Sequence, residues 1–228
     1  MIEIGILFGD IHSFRGLNLI LSRIEIPPAK PKTTYVEIPG GDGSVDLTEA
    51  NGEVKFYDRD CKFTFTMNPS GDLSEAAWEA KKTQVSNALS GKEFKITLDK
   101  NKAFYYQGRC SVDEYLSNKR LRQIVVAAKV RPYKYKQNVT VVGVDLTPES
   151  AGDIPEPVTK VITLKNARKT VCPVITCTEA VTIIFGGNTY TLNSGTHKLL
   201  NIELKMGDNQ LTVTSTGYVE FAYQEGDL

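Results

Sequence analysis

Apolar and polar residues alternate one for one along most of this chain, and that pattern restricts it to sheet architectures. The alternation runs through residues 2–8, 19–26, 34–38, 53–57, 61–67, 94–98, 104–112 and 123–130. Successive side chains on a strand point to opposite faces, so each segment has one apolar face that a second layer must cover. Antiparallel pairing into layered sheets satisfies that demand.

One segment changes period. In LSEAAWEAKKTQVSNAL, residues 73–89, Trp78, Val85 and Leu89 fall on one helical stripe with Lys81 and Lys82 alongside. Asp72 with Glu75 three residues on has capping-box spacing, and Ser74 is an equally good cap. Gly91 suits the position just past the end. The spacing predicts one amphipathic helix over about 73–90, laid on a sheet, with the single tryptophan as its core anchor.

Residues 137–158 carry Gly143, Pro148, Gly152, Pro155 and Pro157 and lose periodicity after Val144, which reads as a linker. Alternation then resumes in 161–164, 173–177, 181–185, 189–192, 199–204, 211–215 and 218–223. Gly186-Gly187-Asn188, Asn193-Ser194-Gly195 and Gly207-Asp208-Asn209 mark the turns. Short strands at that spacing predict a β-sandwich. The expectation is a mainly β protein with one domain over 1–136 and a second over 159–228. With 228 residues in all, each is long enough to bury its own core.

Formal net charge is zero, so the chain as a whole exerts no long-range attraction on nucleic acid or anionic membrane. No stretch approaches the roughly 18 continuous apolar residues of a membrane span. The start, MIEIGILFGDIHSF, carries Glu3 and Asp10 and no basic leader, so it reads as a strand rather than a signal peptide. Cys61, Cys110, Cys172 and Cys177 show no C-x-x-C spacing, which leaves zinc and thioredoxin-type chemistry without support. Cys61 is expected to point inward beside Phe63 and Phe65 as a small hydrophobe.

Candidate catalytic constellations each lack a member. His12 and His197 are the only histidines, one per domain, and Asp10, His12 and Ser13 lie too close in sequence to converge as a triad. Asp58 and Asp60 flank Arg59 in a position where turns favour acids. Asp42, Ser44, Asp46 and Glu53 have EF-hand spacing, but Leu47 stands where that loop requires glycine. Gly40-Gly41-Asp42-Gly43 lacks the lysine and helix of a phosphate loop. Phe104, Tyr105 and Tyr106 have Lys100, Lys102 and Arg109 nearby, yet alternation sends Tyr105 to the opposite face and no basic stripe surrounds them. No cofactor, metal or enzymatic activity is expected.

Four segments are specific in combination: GDIHSFRGLNLIL near the start; YVEIPGGDGSVDLTEANGEVKFYDRDCKFTF; the helix ending in LSGKEFKITLD and followed by AFYYQGRCSV; and VRPYKYK at 130–136. In order, they resemble the distal tail protein (Dit) family of long-tailed, non-contractile phages and prophages. Cys172-Pro173-Val174-Ile175, Gly207-Asp208-Asn209 and the terminal YVEFAYQEGDL are similar to that family's second domain. The resemblance implies two β-sandwiches, the N-terminal one with a helix and an extended β-hairpin, the C-terminal one galectin-like. It implies six copies closing into a ring at the virion tail tip, a hub touching tail tube, tape-measure, tail-tip or lysin protein and sometimes receptor-binding proteins. The candidate ring interface is Ile38, Pro39, Gly40, Gly41, Asp42, Gly43, Asp46 and Arg59.

The residues bear on that role in two ways. Gly40, Gly41 and Gly43 permit backbone turns closed to other residues and Pro39 ends strand pairing, so the segment is either an ordinary hairpin turn or an arm offered to a neighbour. A ring needs heterologous contacts, one surface meeting a different surface on the next copy. The alternative function is carbohydrate binding by the second sandwich, for which Tyr190, Tyr218 and Tyr223 are the candidate platform.

Overall fold

A computed structural model describes residues 4–50, 52–118, 121–148 and 156–228. The chain divides into two compact units, residues 1–134 with Leu228, and residues 135–227.

The first unit contains β1 (Ile6–Phe8), β2 (Ile11–His12), β3 (Leu19–Glu25), β4 (Tyr35–Glu37), β5 (Ser44–Asp46), β6 (Arg59–Met67), α1 (Glu75–Leu89), β7 (Glu93–Leu98), β8 (Asn101–Ser117) and β9 (Arg122–Val130). Seven of these strands form one sheet in the order β2-β1-β7-β8-β9-β6-β3. Phe8 on β1 nevertheless packs edge-on to Phe63 and Phe65 on β6, with ring centroids 6.0 and 6.2 Å apart. On a flat sheet four strand spacings would separate β1 from β6 by about 19 Å. The sheet therefore curls until its ends face one another as the layers of a sandwich do. Register shifts at Leu21/Arg23, Ile96/Leu98 and Val112/Glu114 supply local bends.

The helix closes this core as its spacing predicts. Trp78, Val85 and Leu89 are buried, Ser74 is the cap whose hydroxyl accepts from Ala77 N–H, and Asp72 in turn accepts from Ser74 N–H at 2.8 Å. Gly91 follows the C-cap with φ +76°. Cys61 and Cys110 lie on either side of Ala128 in the inner face. Burial pushes their thiols up to about 11 and about 12, so both are inert hydrophobes.

The second unit contains β11 (Thr140–Asp145), β12 (Val158–Asn166), β13 (Val174–Cys177), β14 (Val181–Phe185), β15 (Asn188–Leu192), β16 (Gly195–Lys198), β17 (Gly207–Ser215) and β18 (Tyr218–Tyr223). They form two four-stranded antiparallel sheets, β11-β18-β13-β16 and β12-β17-β14-β15. Leu164, Ile175, Ile183, Val213 and Phe221 fill the space between them. The short β10 (Lys134–Lys136) pairs with β19 (Gly226–Asp227).

Three elements differ from the expectation. Residues 140–145, read as linker, form β11 and pair with the whole of β18. Gly143 weakens the alternation there; the Tyr218 ring lies over it, so that a Cβ at residue 143 would meet the tyrosine hydroxyl. Residues 53–57 make only an isolated bridge, Phe56 to Pro31, because the opposing chain runs through Pro27, Pro28 and Pro31, which donate no hydrogen bonds. Residues 199–204 fold as a turn bridged at Leu204 to Val171, and residues 195–198 supply the strand instead.

Candidate assembly interface

Between β3 and β6 the chain leaves the sheet as an arm. Tyr57 N–H donates to Lys30 O at 2.9 Å, Lys32 N–H to Lys55 O at 2.7 Å, and Leu47 N–H to Thr34 O at 2.8 Å. At the end, β4 pairs with β5 alone, through Tyr35 with Asp46, Val36 with Val45 and Glu37 with Ser44. Gly41 N–H donates to Ile38 O with Pro39 and Gly40 between, and Gly40 has φ +78°. Proline and a left-handed glycine at those positions make a type II turn. Asp46 accepts from Thr48 N–H at 2.9 Å, a bond that, with one to the Thr48 hydroxyl, holds its carboxyl below the usual range. Ser44 and Asp46 lie in extended strand, so the EF-hand spacing does not curl into a cation loop.

Every residue from 31 to 47 is exposed. Tyr35, at 59% exposure, is joined by Val36, Ile38, Val45 and Leu47 in facing solvent. A lone two-stranded hairpin is marginal in water, and among the described residues nothing covers the apolar side chains of this one. The candidate contact set contains the turn and Ile38 but not Tyr35, Val36, Val45 or Leu47. The signal was available: alternation on both strands with no second layer assigned to cover them.

Seven of the eight residues proposed for ring contact, Ile38, Pro39, Gly40, Gly41, Asp42, Gly43 and Asp46, sit together on the arm. Arg59 does not. It is 7% exposed, its guanidinium donates to Pro132 O from Nε at 2.8 Å and also from Nη2, and it lies 5.8 Å from the Tyr106 ring. It anchors the arm's base rather than presenting a contact.

The tyrosines do not form a platform. Tyr223 is 3% exposed and its hydroxyl donates to Lys165 O at 2.6 Å. Tyr190 packs against the second unit's core. Only Tyr218 shows its ring, which lies over Gly143 on the outer face of β18.

His12 belongs to a structural clasp. Its Nδ1 accepts from Phe14 and Arg15 N–H, each at 3.2 Å, which places the proton on Nε2, and that nitrogen donates to Asp99 at 2.9 Å. Burial opposes the Asp99 charge, but hydrogen bonds from His12 and from Gly5 N–H outweigh it and hold the carboxyl below its usual range. Ser13 is fully buried with its hydroxyl accepting from Ile6 N–H, so it is not presented to His12. Asp99 had no sequence signal, since it lies 87 residues from its partner.

No family model matches the sequence, and no curated protein matches it. Solved structures do. The crystal structure of SPP1 Dit (gp 19.1), described as a paradigm of hub adsorption apparatus in Gram-positive infecting phages, superposes with a TM-score of 0.69 at 13% identity, covering 99% of each chain. At that identity the likeness concerns architecture, and it extends over the curled sheet with its helix and over the two-sheet unit that follows. The fold of this chain, from end to end, is the fold of SPP1 Dit.

Proposed function

We propose that this chain is the structural hub of a long, non-contractile phage tail. Six copies close into a ring that joins the tail tube to the adhesion device at the tail tip. One observation carries the reading: a chain with the full-length fold of a hub adsorption protein projects an arm whose apolar residues its own chain leaves uncovered. Water penalises such an arm unless another surface covers it, and a heterologous contact repeated around an axis covers every arm at once.

On this reading the first unit, with its arm, forms the ring. The second unit, read as a galectin-like sandwich, provides a docking surface for neighbouring tail components. Tail tube, tape-measure, tail-tip or lysin protein and receptor-binding proteins are the partners such a ring meets. Sugar binding through Tyr190, Tyr218 and Tyr223 is not proposed, because two of the three face inward.

Light scattering on the purified chain tests the reading. A discrete particle of about six chain masses is the expected result. A strict monomer at high concentration would remove the ring.

A further inference from the structure

One sheet of the second unit, β12-β17-β14-β15, turns an uncharged face to solvent. Leu164, Val213 and Ile183 point between the sheets, so the alternate positions point outward. Register sets those positions in two rows across four strands. Thr159, Thr214, Thr182 and Thr191 form one row, and Val161, Thr212, Ile184 and Thr189 form the other. All eight residues are β-branched and six are threonine. Thr163 opposite Gln210 continues the face. The charges one row further on, Lys165 and Asp208, stand 3.9 Å apart and offset each other.

Threonine is common on exposed strands, but this face adds bare apolar area and free hydroxyls. Val161 is 67% exposed and Ile184 43%. The Thr159 and Thr214 hydroxyls lie 2.8 Å apart and bond to each other. Among the described residues the hydroxyls of Thr182, Thr189, Thr191 and Thr212 take no hydrogen-bond partner from the chain. The unit around the face is acidic: residues 135–227 contain ten Asp+Glu against seven Lys+Arg, a net −3.

We infer that this face binds an uncharged polysaccharide chain laid across the strands. Size, chemistry and charge choose that occupant. At ordinary strand spacing and rise the two rows cover roughly 260 Å², about a third of what each side of a stable protein interface buries. A single sugar chain is narrow enough to fit. A threonine hydroxyl both donates and accepts, as a sugar hydroxyl does, so the pairs need no fixed polarity. Methyl groups between the hydroxyls meet the C–H faces of the rings. With no cation on the face and an excess of acids around it, phosphate- or carboxylate-bearing polymers are disfavoured. No bulge interrupts the pairing of these four strands, so the hydroxyls are in place before a ligand arrives. This binding gives the second unit a ligand beyond its docking role and does not depend on ring closure.

Nuclear magnetic resonance on the full chain, labelled at its threonine methyls, tests the inference. The protein is titrated with dextran, mannan and galactan, and with poly(glycerol phosphate) as the anionic polymer. At least one neutral polymer should shift the methyls of Thr182, Thr189, Thr191 and Thr212, equally at low and high salt. Thr182→Val with Thr212→Val keeps the β-branched shape and removes two hydroxyls. That variant should melt as the parent does and bind about tenfold more weakly. Silence from all three neutral polymers overturns the inference, as does full binding by the valine variant. Shifts caused only by poly(glycerol phosphate) and lost in salt overturn it too. So do shifts on raising protein concentration without polymer, which mean that a second copy covers the face. Light scattering on the same samples reads the ring separately, since the valine variant should form the same particle as the parent.

Discussion

Val36 on β4 stands directly across from Val45 on β5, and both side chains face solvent. Replacing both with aspartate removes apolar surface without opening any cavity. Unfolding should shift by no more than about 0.5 kcal/mol, the usual scale for surface changes, while assembly is abolished. Thermal melting beside light scattering checks the two effects in one sample.

His12 and Asp99 give the first unit a measurable pH signature. The Asp99 pKa is depressed on folding, so its contribution is present above the unfolded value of 3.8 and is lost as pH falls through the lower folded value. Asp99→Asn should cost about 1.5–3 kcal/mol at neutral pH, the scale of a hydrogen bond to a charged group. The gap between the variant and the parent should close below pH 4. Urea titrations at pH 7 and pH 3 measure it.

Trp78 tests the helix as a lid on the first core. It is 2% exposed, so Trp78→Ala should cost about 3–5 kcal/mol. The loss belongs to the first unit, and amide exchange in β12, β14 and β17 should stay protected.

Gly143 and Tyr218 form a coupled pair in the second unit. A Cβ at residue 143 meets the hydroxyl of this half-exposed tyrosine and pushes the ring off its rotamer, so Gly143→Ala should destabilise by about 0.5–1.5 kcal/mol. Truncating the ring in the same chain, with Tyr218→Ala, should recover most of that. A double-mutant cycle by denaturant unfolding gives the coupling.

What the sequence displayed follows from where each signal lives. The stripe of Trp78, Val85 and Leu89 is local, so the helix and its Ser74 cap were readable. Strand β11 was hidden because Gly143 looks like a loop residue until Tyr218, 75 positions away, is laid over it. Residues 53–57 alternate correctly yet form no strand, since pairing depends on the prolines opposite. At the candidate site, glycine and proline announced the turn at 38–43, and the structure adds that its apolar neighbours are bare. Arg59 read as an exposed charge because its acceptor, Pro132 O, lies 73 residues on.

The central claim is that every arm is covered by the next copy in a closed ring. A cryo-electron microscopy reconstruction of the assembled particle tests it most directly. The account predicts six copies around one axis, with residues 33–50 of each packed on its neighbour. A particle whose arms project freely into solvent, or copies joined through other surfaces alone, would contradict it.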